Sequence, residues 1–307
     1  MHTPRSNHEL KIGLALGSGS ARGWAHIGII NTLVAHGITP DVVCGTSIGA
    51  LVGASYVANN IKKLEQWACS ITKLETARIF EINASLNGFI NTERLHYFLN
   101  RYVASDALLI ESLEKQYASV STDLKTGSEV WFTRGPIIEA VWASISLPGL
   151  FPAIKHRNQW LVDGGLVNPV PVSVCRALGA DMVIAVNLNG NLVGQNFVPP
   201  QKPKIRDNGL THKITELIMD YTGPLFTPGK EEDHPPSLFE AIAGSVHIIQ
   251  DRITRSRMAG DPPDILLSPK LSHIGLLEFY RAHEAMSEGE KAVLAILPEI
   301  KQALDTA

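Results

Sequence analysis

Twice within its first sixty residues the chain passes from a short apolar run, through a turn framed by glycines, into a helical pattern. Lys11-Ile-Gly-Leu-Ala-Leu16 reads as a buried parallel strand and ends in Gly17-Ser-Gly-Ser-Ala-Arg-Gly23. From Trp24 to His36, apolar Ile27, Ile30, Leu33 and Val34 recur at helical spacing, and Gly37 suits a C-cap. Asp41-Val-Val-Cys44 is a second strand, Gly45-Thr-Ser-Ile-Gly49 a turn, and Ala50 to Asn59 the start of another helix. Two such strands joined by a helix must run parallel, with a right-handed crossover. A chain that begins this way is committed to an α/β fold.

The remainder extends that alternation. Strands are expected at 118–122, 129–133, 160–162, 182–188 and 265–267. Helices are expected near 60–80, 92–103, 136–145, 170–178, 238–257 and 277–304. The pattern predicts a three-layer α/β/α domain with a mainly parallel central sheet. It divides into a core over 8–190, a Pro-rich excursion over 191–236, and a helical part over 237–307 that packs on the same domain. The excursion reads as a lid, or as a disordered or plainly surface-packed loop. Within it Leu210, Ile214, Leu217, Ile218 and Tyr221 share one helical face, a possible peripheral membrane contact that nothing basic nearby reinforces.

Composition excludes several classes. The formal net charge is −3 and no Lys/Arg cluster stands out, so a nucleic-acid partner is not expected. The polar start, MHTPRSNHELK, does not read as a secretory signal. The longest apolar stretch, Ile48 to Ala58, is broken by Ser55 and Tyr56 and falls short of the ~18 residues a spanning helix needs. Cys44, Cys69 and Cys175 are scattered, with no ligand spacing, and read as reduced core thiols. A soluble cytoplasmic protein without metal or cofactor is the expectation; the sequence does not speak to oligomeric state.

Chemistry concentrates in three short segments. Gly45-Thr46-Ser47-Ile48-Gly49 is a GxSxG sequence set between strand and helix, the context in which glycines let a sharp turn lift a serine hydroxyl clear of the sheet. It places the Ile48 N–H at a helix N-terminus. The Gly17–Gly23 loop opens a helix and is a ready anion site. A phosphate-binding P-loop would need Gly-Lys-Ser/Thr where Arg22-Gly23 stands. A dinucleotide fingerprint would need glycine at Arg22 and an acid ending the second strand, whereas Asp41 begins it. An oxyanion hole fits better, because loops at the carboxyl ends of neighbouring parallel strands share one crevice.

The third segment is Trp160-Leu-Val-Asp163-Gly164-Gly165, an aspartate ending a short apolar strand. Alone, Asp-Gly-Gly reads equally well as a turn. A serine nucleophile needs a base, usually histidine. None of the eleven histidines has a convincing context: His26 points down its helix, and His156 and His247 suit surface or capping roles.

Together, in this order, the glycine-rich loop with Arg22, GTSIG with Ser47 and DGG with Asp163 resemble the patatin-like phospholipase family. Ser121-Thr-Asp-Leu-Lys-Thr-Gly127, Ala143-Ser-Ile-Ser-Leu-Pro-Gly-Leu-Phe-Pro152 and Asn168-Pro-Val-Pro171 extend the resemblance over about residues 11 to 190. It implies a serine acyl-hydrolase in which Ser47 is the nucleophile and Asp163 the base, acting on lipid or other acyl esters through an acyl-enzyme. Gly19, Ser20, Ala21 and Ile48 would supply oxyanion-hole amides. Arg22 would hold the loop or bind a substrate phosphate, and Leu147, Leu150 and Phe151 would wall the acyl chain or simply pack the core. An ordinary aspartate, with a pKa of ~3.9, is a weak base, which shifts the burden to the oxyanion hole. The family loop commonly carries glycines where Ser18 and Ser20 stand. Serine serves at Ser20 only if its φ does not demand glycine, and a distorted loop would make the chain a weak enzyme or an inactive regulator. A Ser-His-Asp hydrolase is the remaining alternative.

Overall fold

The computed structural model describes residues 10–79, 92–190 and 238–306. Its strands, in chain order, are β1 (Ile12–Leu16), β2 (Val42–Thr46), β3 (Gln116–Asp123), β4 (Glu129–Phe132), β5 (Ile154–His156), β6 (Gln159–Asp163), β7 (Met182–Val186) and β8 (Ile265–Leu267). They form one sheet in the order β5-β6-β3-β2-β1-β7-β8, with β4 also paired to β3. From β3 to β8 every pairing is parallel, and the antiparallel ones all lie at the β3 end.

The two faces of the sheet carry residues of different size. Leu14, Leu16, Val43, Tyr117, Ile184 and Val186 point into the larger core. That core is shared by helices α1 (Ala25–Ala35), α2 (Ile48–Val57), α3 (Ile61–Ser70) and α6 (Ile137–Ile145). The alternate residues Ala15, Val42, Cys44, Ala118, Val183 and Ala185 face α7 (Val172–Ala177). Small side chains there let α7 lie close to the sheet, and Cys44 and Cys175 are buried free thiols in that layer. This is the three-layer α/β/α architecture expected.

Several elements differ from expectation for local reasons. The 60–80 helix breaks at Ile71, which is extended, into α3 and α4 (Lys73–Ile79). Strand β5 was not expected. It forms a hairpin with β6 through Arg157 and Asn158, both at positive φ (44° and 67°), and arginine gives no signal for that kind of turn. Helix α5 (Thr92–Phe98) continues as a π turn over Leu99–Val103. The long helix α8 (Leu238–Gly260) forms, but the 277–304 helix divides into a 3₁₀ turn at Phe279–Arg281, α9 (Ala282–Ala295) and α10 (Leu297–Thr306). The second break precedes Pro298, which lacks the N–H needed to continue a helix. The excursion and its amphipathic face at 210–221 lie outside the described residues. Among the described residues no helix is long and apolar enough to cross a membrane.

The arrangement that positions the site is at β3. Strand β2 pairs with residues 116–120 of β3, and β6 with residues 121–123. Strand β4 pairs with 119–122 and overlaps both, so it occupies one edge while β2 and β6 share the other. Running in opposite directions, β2 and β6 meet end to end: Thr46 lies opposite Val120 and Asp163 opposite Ser121. The chain can turn away there only because Gly164 has no side chain. A Cβ on it would lie 2.1 Å from the Val120 carbonyl oxygen. Gly164→Ala should therefore cost about 3 kcal/mol or more in a urea unfolding titration. Gly127→Ala, in open space at φ +71°, should cost only about 1 kcal/mol.

Candidate active site

Ser47 stands between the last residue of β2 and the first of α2 with φ 57° and ψ −125°. Such a conformation is strained by roughly 1–3 kcal/mol and persists only where the surroundings enforce it. They do so here. Thr46 Oγ1 donates to the Asn168 carbonyl at 2.8 Å, and the Ser47 amide donates to Ser144 Oγ at 2.9 Å. Ser144 in turn donates to the Val120 carbonyl at 2.6 Å. The flanking glycines are required by space: a Cβ at Gly45 would sit 2.4 Å from the Ala50 nitrogen, and one at Gly49 2.1 Å from the Leu16 oxygen.

Asp163, at the end of β6, is 1 % exposed. Its Oδ2 accepts from Ser47 Oγ at 2.5 Å and its Oδ1 from the Gly165 amide at 2.7 Å. Its own amide donates to the Ser146 carbonyl, and its carbonyl accepts from Thr122 Oγ1. Burial pushes the carboxyl up to about 6, against the two hydrogen bonds that pull it down. This corrects the expectation of an ordinary, weakly basic aspartate.

The histidines serve elsewhere. His26 is fully buried, its Nε2 2.8 Å from the Gly17 carbonyl, and burial pushes it down to about 4, so it is a neutral strut under the glycine loop. His156 pairs with Glu139. His247, expected at the surface or in a cap, instead lines the cavity over Ser47.

The loop opposite Ser47 accommodates its serines in different ways. Ser20 has φ 52°, a left-handed conformation that favours glycine. The serine is held there by its hydroxyl, which donates to the Leu276 carbonyl at 2.7 Å, a bond glycine cannot make. The Ala21 amide donates to the same carbonyl at 3.0 Å and Ala21 does not line the cavity, which corrects its expected place among the oxyanion donors. Gly19, Ser20 and Ile48 do line it, and their amides have no partner among the described residues. Arg22 donates from Nε to the Ile274 carbonyl and from Nη1 to Asn189 Oδ1; it is 6 % exposed and lies off the cavity wall. Burial lowers it only to about 10, so it stays charged at neutral pH. These bonds tie the glycine loop to the segments that carry Asn189 and Ile274.

The cavity measures about 400 Å³. Leu147, Leu150 and Phe151 are in its wall and also pack in an apolar cluster with Leu277. Sequence reading missed Trp67, Phe98 and Phe279, which pack edge to face or tilted against their neighbours and complete the apolar lining. It also missed His247 and Gln250 of α8. Helical spacing alone does not separate a cavity wall from a core. Among the described residues, no group of three His, Cys, Asp or Glu is placed to hold a metal ion.

Residues 14–176, more than half of the chain, match the family model for patatin-like phospholipases. The chain belongs to the patatin-like phospholipase family. An uncharacterized NTE family protein of Mycobacterium tuberculosis is 29% identical over 93% of this chain and 91% of its own length. A lysophospholipase of Pyricularia oryzae is 28% identical over 94% of this chain, which spans 18% of that protein. A patatin-like phospholipase domain-containing protein of Caenorhabditis elegans is 33% identical over 58% of this chain and 13% of its own length. As a patatin-like phospholipase the chain is an esterase-type hydrolase.

Keeping Asp163 in this site has a stability cost whose pH dependence can be measured. Its folded-state value lies above the unfolded 3.8, so stability is full with the carboxyl protonated and is lost as pH rises through about 6. Asp163→Asn removes the charge; its Oδ1 still accepts from the Gly165 amide, while its Nδ2 donates to Ser47 Oγ where the carboxylate accepted from it. It should stabilise the protein by on the order of 2–3 kcal/mol at pH 8, with the gain nearly gone at pH 4, in paired urea titrations.

Proposed function

We propose that this protein hydrolyses carboxylic ester bonds of lipids, with Ser47 as nucleophile and Asp163 as base. The observation that carries the reading is the hydrogen bond from Ser47 Oγ to a buried carboxylate whose proton affinity burial has raised. Asp163 takes the Ser47 proton as Oγ bonds to the acyl carbon, and the negative charge on the carbonyl oxygen falls to the amides of Gly19, Ser20 and Ile48. Asp163 returns the proton to the departing alkoxide, leaving an acyl-enzyme. Water then attacks, giving one proton to Asp163, which restores it to Ser47 Oγ as the fatty acid leaves. Preorganised amides of this kind typically contribute ~10²–10³ in rate each.

Lipid is the substrate class that the cavity supports, because apolar residues dominate its wall while the reacting groups sit at a polar end. The similarity to a protein named a lysophospholipase agrees with a single-chain lipid ester.

Hydrolysis of a p-nitrophenyl acyl ester tests the reading. Wild type should turn it over and Ser47→Ala should not, and mass spectrometry of quenched wild type should find one acyl group on the peptide containing Ser47. As Asp163 must be ionised to act, kcat/KM should fall about tenfold per pH unit below about 6 and level off above it. Turnover that survives Ser47→Ala would contradict the mechanism; absence of any turnover or acyl adduct would favour an inactive relative.

A further inference from the structure

Of the two serines in the glycine loop, Ser20 uses its hydroxyl to hold the backbone, but Ser18 does not. Ser18 Oγ is buried with no hydrogen-bond partner among the described residues, and so are both ring nitrogens of His247. Buried polar groups are almost always paired, so each such group calls for an explanation. Both residues line the cavity that holds Ser47 and Asp163.

The two belong to one wall. Asn189 donates from Nδ2 to the Ser18 carbonyl (3.3 Å) and to Gln250 Oε1 (3.4 Å). Gln250 lies one turn beyond His247 on α8 and also lines the cavity. A Cβ placed on Gly165 would be 2.4 Å from Gln250 Nε2, 3.0 Å from Asp163 Oδ1 and 3.2 Å from Ser18 Oγ, so these atoms crowd together beside the Ser47–Asp163 pair. Helix α8 is fastened over this spot by Arg257, which donates to the Val167 carbonyl and pairs with Glu129. This helix lies beyond the segment that matches the family model.

The chemistry of the wall selects its ligand. Burial, helped by the charge of Arg22, pushes His247 down to about 4, so the imidazole is neutral at working pH. A neutral imidazole offers one N–H donor and one lone pair, and a serine hydroxyl both gives and accepts. The complement is a group that also donates and accepts, which a hydroxyl does and a phosphate diester does not. The acyl chain has the apolar wall available, so the polar wall falls to the alcohol portion.

Building on the hydrolase reading, we propose that Ser18 and His247 form a subsite for a hydroxyl on the alcohol portion of the ester. The enzyme then favours acyl esters of polyols such as glycerol over acyl esters of apolar alcohols, because only the former offer a hydroxyl to Ser18 Oγ and the His247 ring.

The test compares kcat/KM for 1-octanoylglycerol and for p-nitrophenyl octanoate in wild type, Ser18→Ala, His247→Leu and His247→Gln, with melting temperatures to confirm folding. The ratio of glycerol ester to p-nitrophenyl ester should fall about tenfold in Ser18→Ala and in His247→Leu, and His247→Gln should recover part of it. A ratio that stays within twofold of wild type in both variants overturns the subsite, whether the two rates fall together or not at all. A selective loss confined to octanoyl lysophosphatidylcholine, run in parallel, overturns the hydroxyl assignment in favour of phosphate. Failure of the hydrolase reading itself would look different: no wild-type turnover of any of the esters, or turnover that persists in Ser47→Ala.

Discussion

One edge of β3 carries two strands that meet end to end, and the site depends on that meeting. Strand β2 arrives parallel and stops opposite Val120; β6 arrives antiparallel and stops opposite Ser121. The backbone ladder of the sheet, which is worth more collectively than any one side-chain contact, therefore fixes both Ser47 and Asp163. Ser144 extends the control by accepting from the Ser47 amide while donating to Val120. No loop has to close for the two side chains to bond, and the strain at Ser47 is borne by a framework that is buried throughout.

Burial then does the chemical tuning. A carboxylate in water is a poor base for a serine hydroxyl. Enclosed at the end of β6 it holds its proton more tightly, up to about 6, yet is still ionised at neutral pH. The same desolvation that would suit Asp163 to the proposed role of base makes it destabilising. The strain at Ser47 and the left-handed Ser20 add to a local cost that the two-sided core offsets. Functional sites commonly carry such costs, and here three of them fall within one cavity.

Much of this was legible in the sequence. The period of the apolar residues and the glycine-framed turns gave the βαβα start, the three layers and the position of Ser47, because buried parallel strands and a strand-to-helix turn leave local marks. The family resemblance carried by the order of the motifs pointed to Asp163. What stayed hidden was set by long-range contacts. Whether Ser20 could serve depended on Leu276, some 256 residues away in sequence, and the same carbonyl removed Ala21 from the set of free amides. The partners of Arg22, the Ile274 carbonyl and Asn189 Oδ1, are likewise distant in sequence and leave no local mark. His247 sits in a helix with an ordinary polar sequence, and only packing against the β6 end brings it to the cavity. The hairpin at Arg157-Asn158 escaped because Arg157, unlike Asn158, is not a usual residue at positive φ.

In the proposed mechanism a carboxylate, with no histidine, activates Ser47. The rate at which a fluorophosphonate probe labels Ser47, in wild type and in Asp163→Asn, tests it most directly, since labelling needs the activated hydroxyl but neither leaving-group protonation nor deacylation. If Asp163 is the base, the folded Asp163→Asn protein should label at least ~10²-fold more slowly than wild type at pH 8. Equal labelling rates in the two proteins would contradict it.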